Sequence, residues 1–121
     1  MSGLSPVGKQ VMLEAFTADA AYTSLHSALP DDSGSDEISG GLPAYTRQPV
    51  EWGAFDTVDS IPSAVDLEWD IPPGTDITHL GYWTAPNGGV FLGWRPLSDP
   101  ESFTGQGFHT IPSGSLVETL S

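Results

Sequence analysis

The stretch Val65-Asp66-Leu67-Glu68-Trp69-Asp70-Ile71 alternates apolar and acidic residues without a break. Successive side chains of a β-strand point to opposite faces, so this alternation predicts a half-buried strand with an apolar inner face and an acidic outer face. Pro72-Pro73-Gly74 follows and ends the strand, because proline lacks a backbone donor and glycine favours turns. The chain is therefore expected to build a sheet that covers a core with one face.

A β-hairpin is predicted immediately downstream. Residues 77–84 and 90–94 flank Ala85-Pro86-Asn87-Gly88-Gly89, in which asparagine and glycine tolerate positive φ. After an irregular stretch from Pro96 to Gly107, two short strands are predicted at 108–111 and 116–120. Six to eight strands at this spacing predict a mainly β fold, an antiparallel β-sandwich or open barrel with one short N-terminal helix.

The N-terminal helix is predicted to begin after Ser5, with Pro6 at its first position, and to end near Thr17. Its apolar residues recur at i, i+4 and i+8, and this stripe is expected to face the core. The stripe consists of Val7, Val11 and Ala15, with Met12 and Phe16 beside them. Two further strands are predicted over residues 22–29 and 47–55, the second with Val50, Trp52 and Ala54 on one face.

Composition narrows the function classes. The 121 residues fit one domain, 1–121, since two cores would not fit in so short a chain. Sixteen acidic residues against three lysines and arginines give a formal charge of −13, which disfavours nucleic acid and anionic membrane as partners. The chain has no cysteine, and no stretch is long and apolar enough to indicate a membrane span or secretory signal.

The loop of residues 31–43 is long for so small a domain, and long loops commonly carry function, so contacts with a partner are expected there. Its carboxylates could in principle coordinate Ca²⁺ through oxygen ligands. Those carboxylates are Asp31, Asp32, Asp36 and Glu37. Their spacing does not match an EF-hand, and a solvated turn is the preferred interpretation, so no metal site and no cofactor are predicted.

Catalysis is not predicted. The three histidines, His26, His79 and His109, lie far apart, each inside a predicted strand rather than in a spaced motif. Asp66 and Glu68 could suggest a glycosidase pair, but they lie on one regular strand face. Each of the four tryptophans falls in an apolar strand phase, so core packing is favoured over sugar stacking.

The order of several short motifs carries a resemblance over nearly the whole chain. The motifs are Gly8-Lys9-x-x-Met12-Leu13, Ser24-Leu25-His26-Ser27-Ala28, Glu37-Ile38-Ser39-Gly40-Gly41-x-Pro43-Ala44-Tyr45-x-Arg47, Trp52-Gly53-Ala54, Pro73-Gly74-Thr75, Gly81-Tyr82-Trp83-Thr84-Ala85, Gly88-Gly89-Val90-Phe91-Leu92-Gly93 and Phe103-x-Gly105-Gln106-Gly107. The chain thereby resembles small virion structural proteins of actinobacterial tailed phages, described as tail fibre-like, minor tail or capsid-decorating proteins. The resemblance implies a virion component that is assembled in the host cytoplasm and is not an enzyme.

The run from Glu37 to Arg47 is the most specific of these motifs, and it supplies the candidate interaction residues. They are Asp36, Glu37, Gly40, Gly41, Pro43, Tyr45 and Arg47. The glycines permit unusual backbone angles, and Arg47 is a rare cation that could pair with Glu37. A structural staple is preferred to a receptor site, since charge pairs at such loops are ordinarily architectural.

The sequence leaves three roles open. A capsid decoration protein that bridges major capsid subunits is ranked first, a minor tail or tail fibre-associated protein second, and a carbohydrate-binding module for the host envelope third. The expected partners are the major capsid protein or tail proteins, and a homo-oligomer is expected, with a trimer as one form. The loop of residues 31–43 and the N-terminal residues are expected to make these contacts because little else in the chain orders them. Deleting residues 31–41 should therefore abolish particle incorporation and leave the isolated domain folded.

Overall fold

The computed structural model describes residues 3–120. Within these residues the chain forms one helix followed by eight strands, and every strand pair is antiparallel. The elements are α1 (Pro6–Asp19), β1 (Tyr22–His26), β2 (Gln48–Pro49), β3 (Ser60–Pro62), β4 (Leu67–Ile71), β5 (Thr75–Trp83), β6 (Phe91–Phe103), β7 (Gly107–Ile111) and β8 (Val117–Thr119). The predicted fold class, mainly β with a helix near the N-terminus, is confirmed.

The strands form three sheets in a sandwich-like arrangement. The main sheet has the order β2-β1-β5-β6, while β3 pairs with β8 and β4 pairs with β7. Leu25 and Leu80, directly opposite each other on β1 and β5, contribute to a core that also contains Trp69 of β4. The Trp69 indole nitrogen donates to the Thr23 carbonyl oxygen at 3.3 Å, so the β4-β7 pair is tied to the inner face of the main sheet.

The hairpin and the alternating stretch form as predicted, except that the strand of the alternating stretch begins at Leu67 rather than Val65. Within β4 the side chains of Leu67, Trp69 and Ile71 are buried, whereas Glu68 between them is exposed. The β5-β6 hairpin encloses the predicted turn, and Thr84 and Val90 close it with a backbone hydrogen bond of 3.1 Å. Period-2 alternation was sufficient here because each strand has one core-facing side.

The irregular stretch predicted from Pro96 to Gly107 is wrong for its first eight residues. There β6 continues to Phe103 and pairs with β5 across a register shift between Ile77 and His79. Pro96 and Pro100 are compatible with this strand because β6 lies at the edge of the main sheet, where a missing backbone donor leaves no partner unpaired.

Helix α1 begins as predicted, but the side that carries Val7 and Val11 faces solvent. The Ser5 hydroxyl accepts from the Gly8 amide at 3.1 Å, and the helix runs two residues beyond the predicted end. The prediction that Val7, Val11 and Ala15 face the core is wrong, since Val7 is 71% and Val11 65% exposed. Of the residues predicted beside them, Phe16 does pack on the core, whereas Met12 is exposed. Leu13 is buried as well, because these larger side chains remove more apolar area from water than the valines do.

Two predicted strands are shorter in the structure. β1 ends at His26, three residues early, because the Ser27 amide turns to the carbonyl oxygen of Asp36. The segment 47–55 forms only β2 and an isolated bridge between Trp52 and Ser63, since Pro49 cannot donate to a ladder. Val50 is buried, but Ala54 is exposed, so the predicted common face is wrong.

Candidate interaction surface around Glu37 and Arg47

The main sheet has two different faces, because neighbouring residues of β5 point in opposite directions. Tyr82 points to the side on which α1 lies, with its ring 5.3 Å from that of Phe16. Trp83 points to the other side, where it contacts Gly34 and Arg47. Arg47 therefore lies on the outer face of the main sheet, while Glu37 pairs with His26 at the edge of β1.

The carboxylate of Glu37 binds two other residues of its motif, and we call Glu37, Tyr45 and Arg47 the staple. The Tyr45 hydroxyl donates to Glu37 Oε2 at 2.8 Å, while Arg47 donates from Nη2 to Oε1 at 2.9 Å and from Nε to Oε2 at 3.0 Å. Tyr45 also accepts from the Leu25 amide of β1 at 3.0 Å. Burial raises the pKa of the Tyr45 hydroxyl well above its usual range, and the adjacent Glu37 carboxylate adds to this effect, so Tyr45 stays a donor.

Arg47 also joins the staple to the β5-β6 hairpin. Its guanidinium lies 3.6 Å from the centre of the Trp83 ring, a cation–π contact. Nη1 donates to the carbonyl oxygens of Ala85 at 3.1 Å and Gly88 at 2.8 Å. With only 9% of its side chain exposed, Arg47 connects the loop, the sheet and the hairpin turn.

Gly40, Gly41 and Pro43 lie in a separate turn, away from the carboxylate of Glu37. Gly41 has a φ of +94°, and a β-carbon added there would meet Gln106 Oε1 at 2.7 Å. Gln106 accepts from the Leu42 amide and donates to the Pro43 carbonyl oxygen, both at 3.1 Å. The base of the turn is thus fixed to the β6-β7 connection, and Leu42 at its tip is 90% exposed.

His26 fixes the middle of the loop through a hydrogen-bond chain. Its Nδ1 lies 2.7 Å from the Ser35 carbonyl oxygen, which can only accept, so Nδ1 carries the proton. Nε2 then accepts from the Ser24 hydroxyl at 2.7 Å, and that hydroxyl accepts from the Trp83 indole at 2.8 Å. Burial lowers the pKa of His26, which favours the neutral ring that this chain requires.

These contacts correct the expectation that residues 31–43 are ordered by little else. Gly34 lies so close to the sheet that a β-carbon there would be 2.5 Å from the Trp83 ring. The Ile38 amide donates to the Leu25 carbonyl oxygen at 3.0 Å, as an added strand would. Deleting residues 31–41 would remove these contacts and expose Trp83, so the domain is not expected to stay folded without them.

The loop carboxylates that could have coordinated Ca²⁺ either make other hydrogen bonds or lie exposed. Asp31 Oδ1 accepts from the Ser33 amide at 2.9 Å and from the Ser33 hydroxyl, and these bonds lower the pKa of Asp31. Glu37 is taken up by the staple, and Asp36 is an exposed residue with a φ of +62°. Among residues 3–120 no three histidine, aspartate or glutamate side chains are arranged to hold a metal ion.

The histidines occupy three separate environments. His79 Nδ1 lies 2.8 Å from the Thr78 hydroxyl, and His109 Nδ1 lies 2.5 Å from Glu101 Oε1 beside a cavity of about 190 Å³ between β6 and β7. Both lie in strands, as predicted, and neither contacts the staple. Of the tryptophans, Trp94 is 45% exposed, which contradicts its predicted core position; its ring meets His79 at 75° rather than in one plane.

The structure thus brings Glu37, Tyr45 and Arg47 together and leaves Asp36, Gly40, Gly41 and Pro43 beside them. His26 and Gln106 also fix this loop, and neither was among the candidate residues from the sequence. Both lie within the short motifs quoted above, but spacing gave no indication of their partners. The side chains of the staple bind one another and have little contact with solvent, which indicates an architectural role. The neighbouring turn that carries Leu42 is the exposed part of this region.

Comparison with curated proteins finds no match. The family model described as Podophage GP4 fiber I protein gp80 matches residues 10–119, which include every strand and the complete staple. The match identifies a phage structural family and does not bear on the actinobacterial origin predicted above. The chain belongs to the family of the podophage GP4 fibre I protein gp80.

Proposed function

We propose that this chain is a fibre-associated structural protein of a phage virion, and that it attaches to a neighbouring tail or fibre protein through the turn that carries Leu42. The family match over residues 10–119 is the observation that carries the fibre assignment. It favours the tail-fibre role, which was ranked second on sequence, over capsid decoration. The non-enzymatic role accords with a family of fibre proteins.

The turn has the properties of a docking element. Its base is fixed by Gln106 and by the Tyr45 amide, which donates to the Gly40 carbonyl oxygen at 2.8 Å. Its tip exposes Leu42 almost completely, and a rigid apolar tip costs little entropy when it enters a pocket of a partner. The staple supports the turn, and Leu42 makes the contact.

The carbohydrate-binding alternative has less support. Such a module stacks sugar rings on exposed coplanar aromatic side chains, and Trp94 and His79 are instead arranged edge to face. Phe108, 62% exposed, lies on β7 in a different sheet from Trp94. We therefore keep sugar binding as a secondary outcome to be tested on the same protein.

Reconstruction of the purified virion by cryo-EM tests the location. We expect density for this domain on the fibres; recurrence over the icosahedral shell would overturn the proposal in favour of capsid decoration. Leu42→Asp tests the turn, with Leu29→Asp as the matched control because Leu29 is an exposed leucine, 57% accessible, that lies just before the loop of residues 31–43. We expect Leu42→Asp virions to lose the domain and Leu29→Asp virions to retain it.

A further inference from the structure

The cavity of about 190 Å³ between β6 and β7 combines an apolar wall with a polar rim. The wall consists of buried and half-buried side chains, those of Leu80, Leu97, Ile111 and Leu116. The rim is exposed, so the cavity opens to solvent, and it includes Ser98, Asp99, Thr110 and Ser115. A few polar groups around an apolar floor are typical of a ligand site.

His109 presents one ring nitrogen to this cavity. Its side chain is only 6% exposed, and the ring is fixed between Glu101 Oε1, 2.5 Å from Nδ1, and the stacked ring of Trp69. The other nitrogen, Nε2, makes no hydrogen bond to residues 3–120. Because no side-chain nitrogen or oxygen of those residues is both buried and unpaired, Nε2 opens to solvent, and it does so in the cavity that His109 lines. A neutral ring that donates from Nδ1 to a carboxylate has a lone pair at Nε2, so the cavity contains an acceptor that lacks a donor.

The charges around the cavity favour a cationic ligand. The guanidinium of Arg95 is turned to β8, where Nη1 donates to Glu118 Oε1 at 3.1 Å, so these two charges balance. The remaining carboxylates are those of Asp99 at the rim and of Glu101 behind His109, and they leave the cavity negative. The whole chain has a formal charge of −13, which attracts cationic groups over longer distances.

The volume of the cavity limits the size of the cation. A water molecule takes up about 30 Å³ in the liquid, so 190 Å³ has room for about six groups of that size. A lysine side chain consists of about five such groups, four methylenes and an ammonium, whereas an arginine side chain has about seven. The lysine methylenes can pack on the apolar wall while the ammonium, which has three donors, reaches Nε2.

We propose that this cavity binds a lysine side chain of a neighbouring protein. The ammonium donates to His109 Nε2 and is balanced in charge by Asp99, and the stem lies against Leu97 and Ile111. No residue of the turn that carries Leu42 lines the cavity, so the two surfaces are separate. Binding of lysine depends on the cavity alone, so it can fail or succeed independently of the location on the virion.

Methyl NMR of the purified chain tests the site with n-butylammonium, which reproduces the lysine side chain. At about pH 8 ammonium groups are charged and ordinary imidazoles are neutral. We expect saturable shifts of the methyl signals of Leu97 and Ile111, with a dissociation constant on the order of 1–10 mM for so small a ligand. Butyltrimethylammonium is the matched control because it has the same charge and no N–H donor, and it should bind at least roughly tenfold more weakly. Equal binding of the two cations, or no saturable shift by n-butylammonium up to about 100 mM, would overturn the proposal.

Two blocked amino acids distinguish lysine from arginine. N-acetyl-lysine amide should shift the same methyl signals, and N-acetyl-arginine amide should bind roughly tenfold more weakly because its side chain is larger than the cavity. Equal affinities would mean that the cavity selects charge alone and would overturn the lysine assignment.

Substitutions test the two groups that recognise the ammonium. His109→Phe removes the acceptor and keeps a ring against Trp69, so n-butylammonium should bind roughly tenfold more weakly. His79→Phe is the matched control, since His79 is a strand histidine outside the cavity, and it should bind as the native chain does. Asp99→Asn changes an exposed residue and should weaken binding roughly threefold. Unchanged affinity in Asp99→Asn, or in a His109→Phe protein that circular dichroism shows to be folded, would contradict the proposed site.

Discussion

Tyr82 and Trp83 are neighbours on β5, yet the two faces of the sheet that they mark are covered by different means. On the Tyr82 side, α1 packs mainly by apolar contact of Phe16 and Leu13, with one hydrogen bond from the Trp52 indole to the Ala20 carbonyl oxygen at the end of the helix. On the Trp83 side, an irregular loop is held by the staple and by the His26 chain, in which each donor has a specific acceptor. Single substitutions and changes of pH are therefore expected to lower the stability of the loop side. On the helix side, the loss of stability should depend on how much apolar area a substitution removes.

Arg47→Met should have the largest effect, because it leaves the Glu37 carboxylate without its cation and removes the link to the hairpin turn. We expect the free energy of unfolding to fall by about 3 kcal/mol. Arg95→Met is the matched control: the Arg95 side chain is 36% exposed and pairs with Glu118, and a loss of no more than about 1 kcal/mol is expected. Urea denaturation measures both; equal losses would mean that the staple is no more important than an exposed ion pair.

Phe16→Ala tests the helix side. Phe16 is partly buried, so removing its ring should lower the free energy of unfolding by about 2 kcal/mol. The loss should not change with pH between 5 and 7, since no charged partner is involved. A pH-dependent loss in the same denaturation series would contradict the division between the two faces.

Alanine substitutions at two adjacent glycines of the turn distinguish the cost of backbone strain from the cost of a steric clash. Gly40 and Gly41 have φ values of +92° and +94°, but only at Gly41 does a β-carbon meet another group. We expect Gly40→Ala to cost about 1 kcal/mol and Gly41→Ala about 2 kcal/mol or more, because the second also displaces Gln106. Thermal unfolding measures the difference, and equal costs would argue against the Gln106 contact.

Acidification should give the smallest effect. Burial lowers the pKa of His26 below its ordinary value of 6.5, so below about pH 6.5 the unfolded chain binds more protons than the folded chain. The free energy of unfolding should thus decrease as the pH falls from 6.5 to the lowered pKa of His26, and this contribution should then level off. His26→Gln, which can donate to Ser35 and accept from Ser24 without titrating, should remove that slope. An unchanged slope would assign it to another group.

The phage structural family and the pairing of Glu37 with Arg47 could be predicted from the sequence. The residues on which this segment packs, such as Trp83 and Gln106, could not. The motif from Glu37 to Arg47 contains both members of an ion pair, and a rare cation in an acidic chain indicates a specific partner. Gln106 and Trp83 are 59 and 36 residues from Arg47 along the chain, so their roles depend on the strand order.

By itself, the sequence determined those elements whose side chains face one core. β4, the β5-β6 hairpin and the start of α1 follow from local periodicity, turn residues and a capping serine, each of which acts within a few residues. The tertiary structure alone decided which face of α1 is buried and how far β6 extends. Both depend on contacts that exist only in the folded chain. Leu13 and Phe16 take the core-facing side of α1, so the valines stay in solvent. β6 lies at the edge of its sheet, where the two prolines are tolerated.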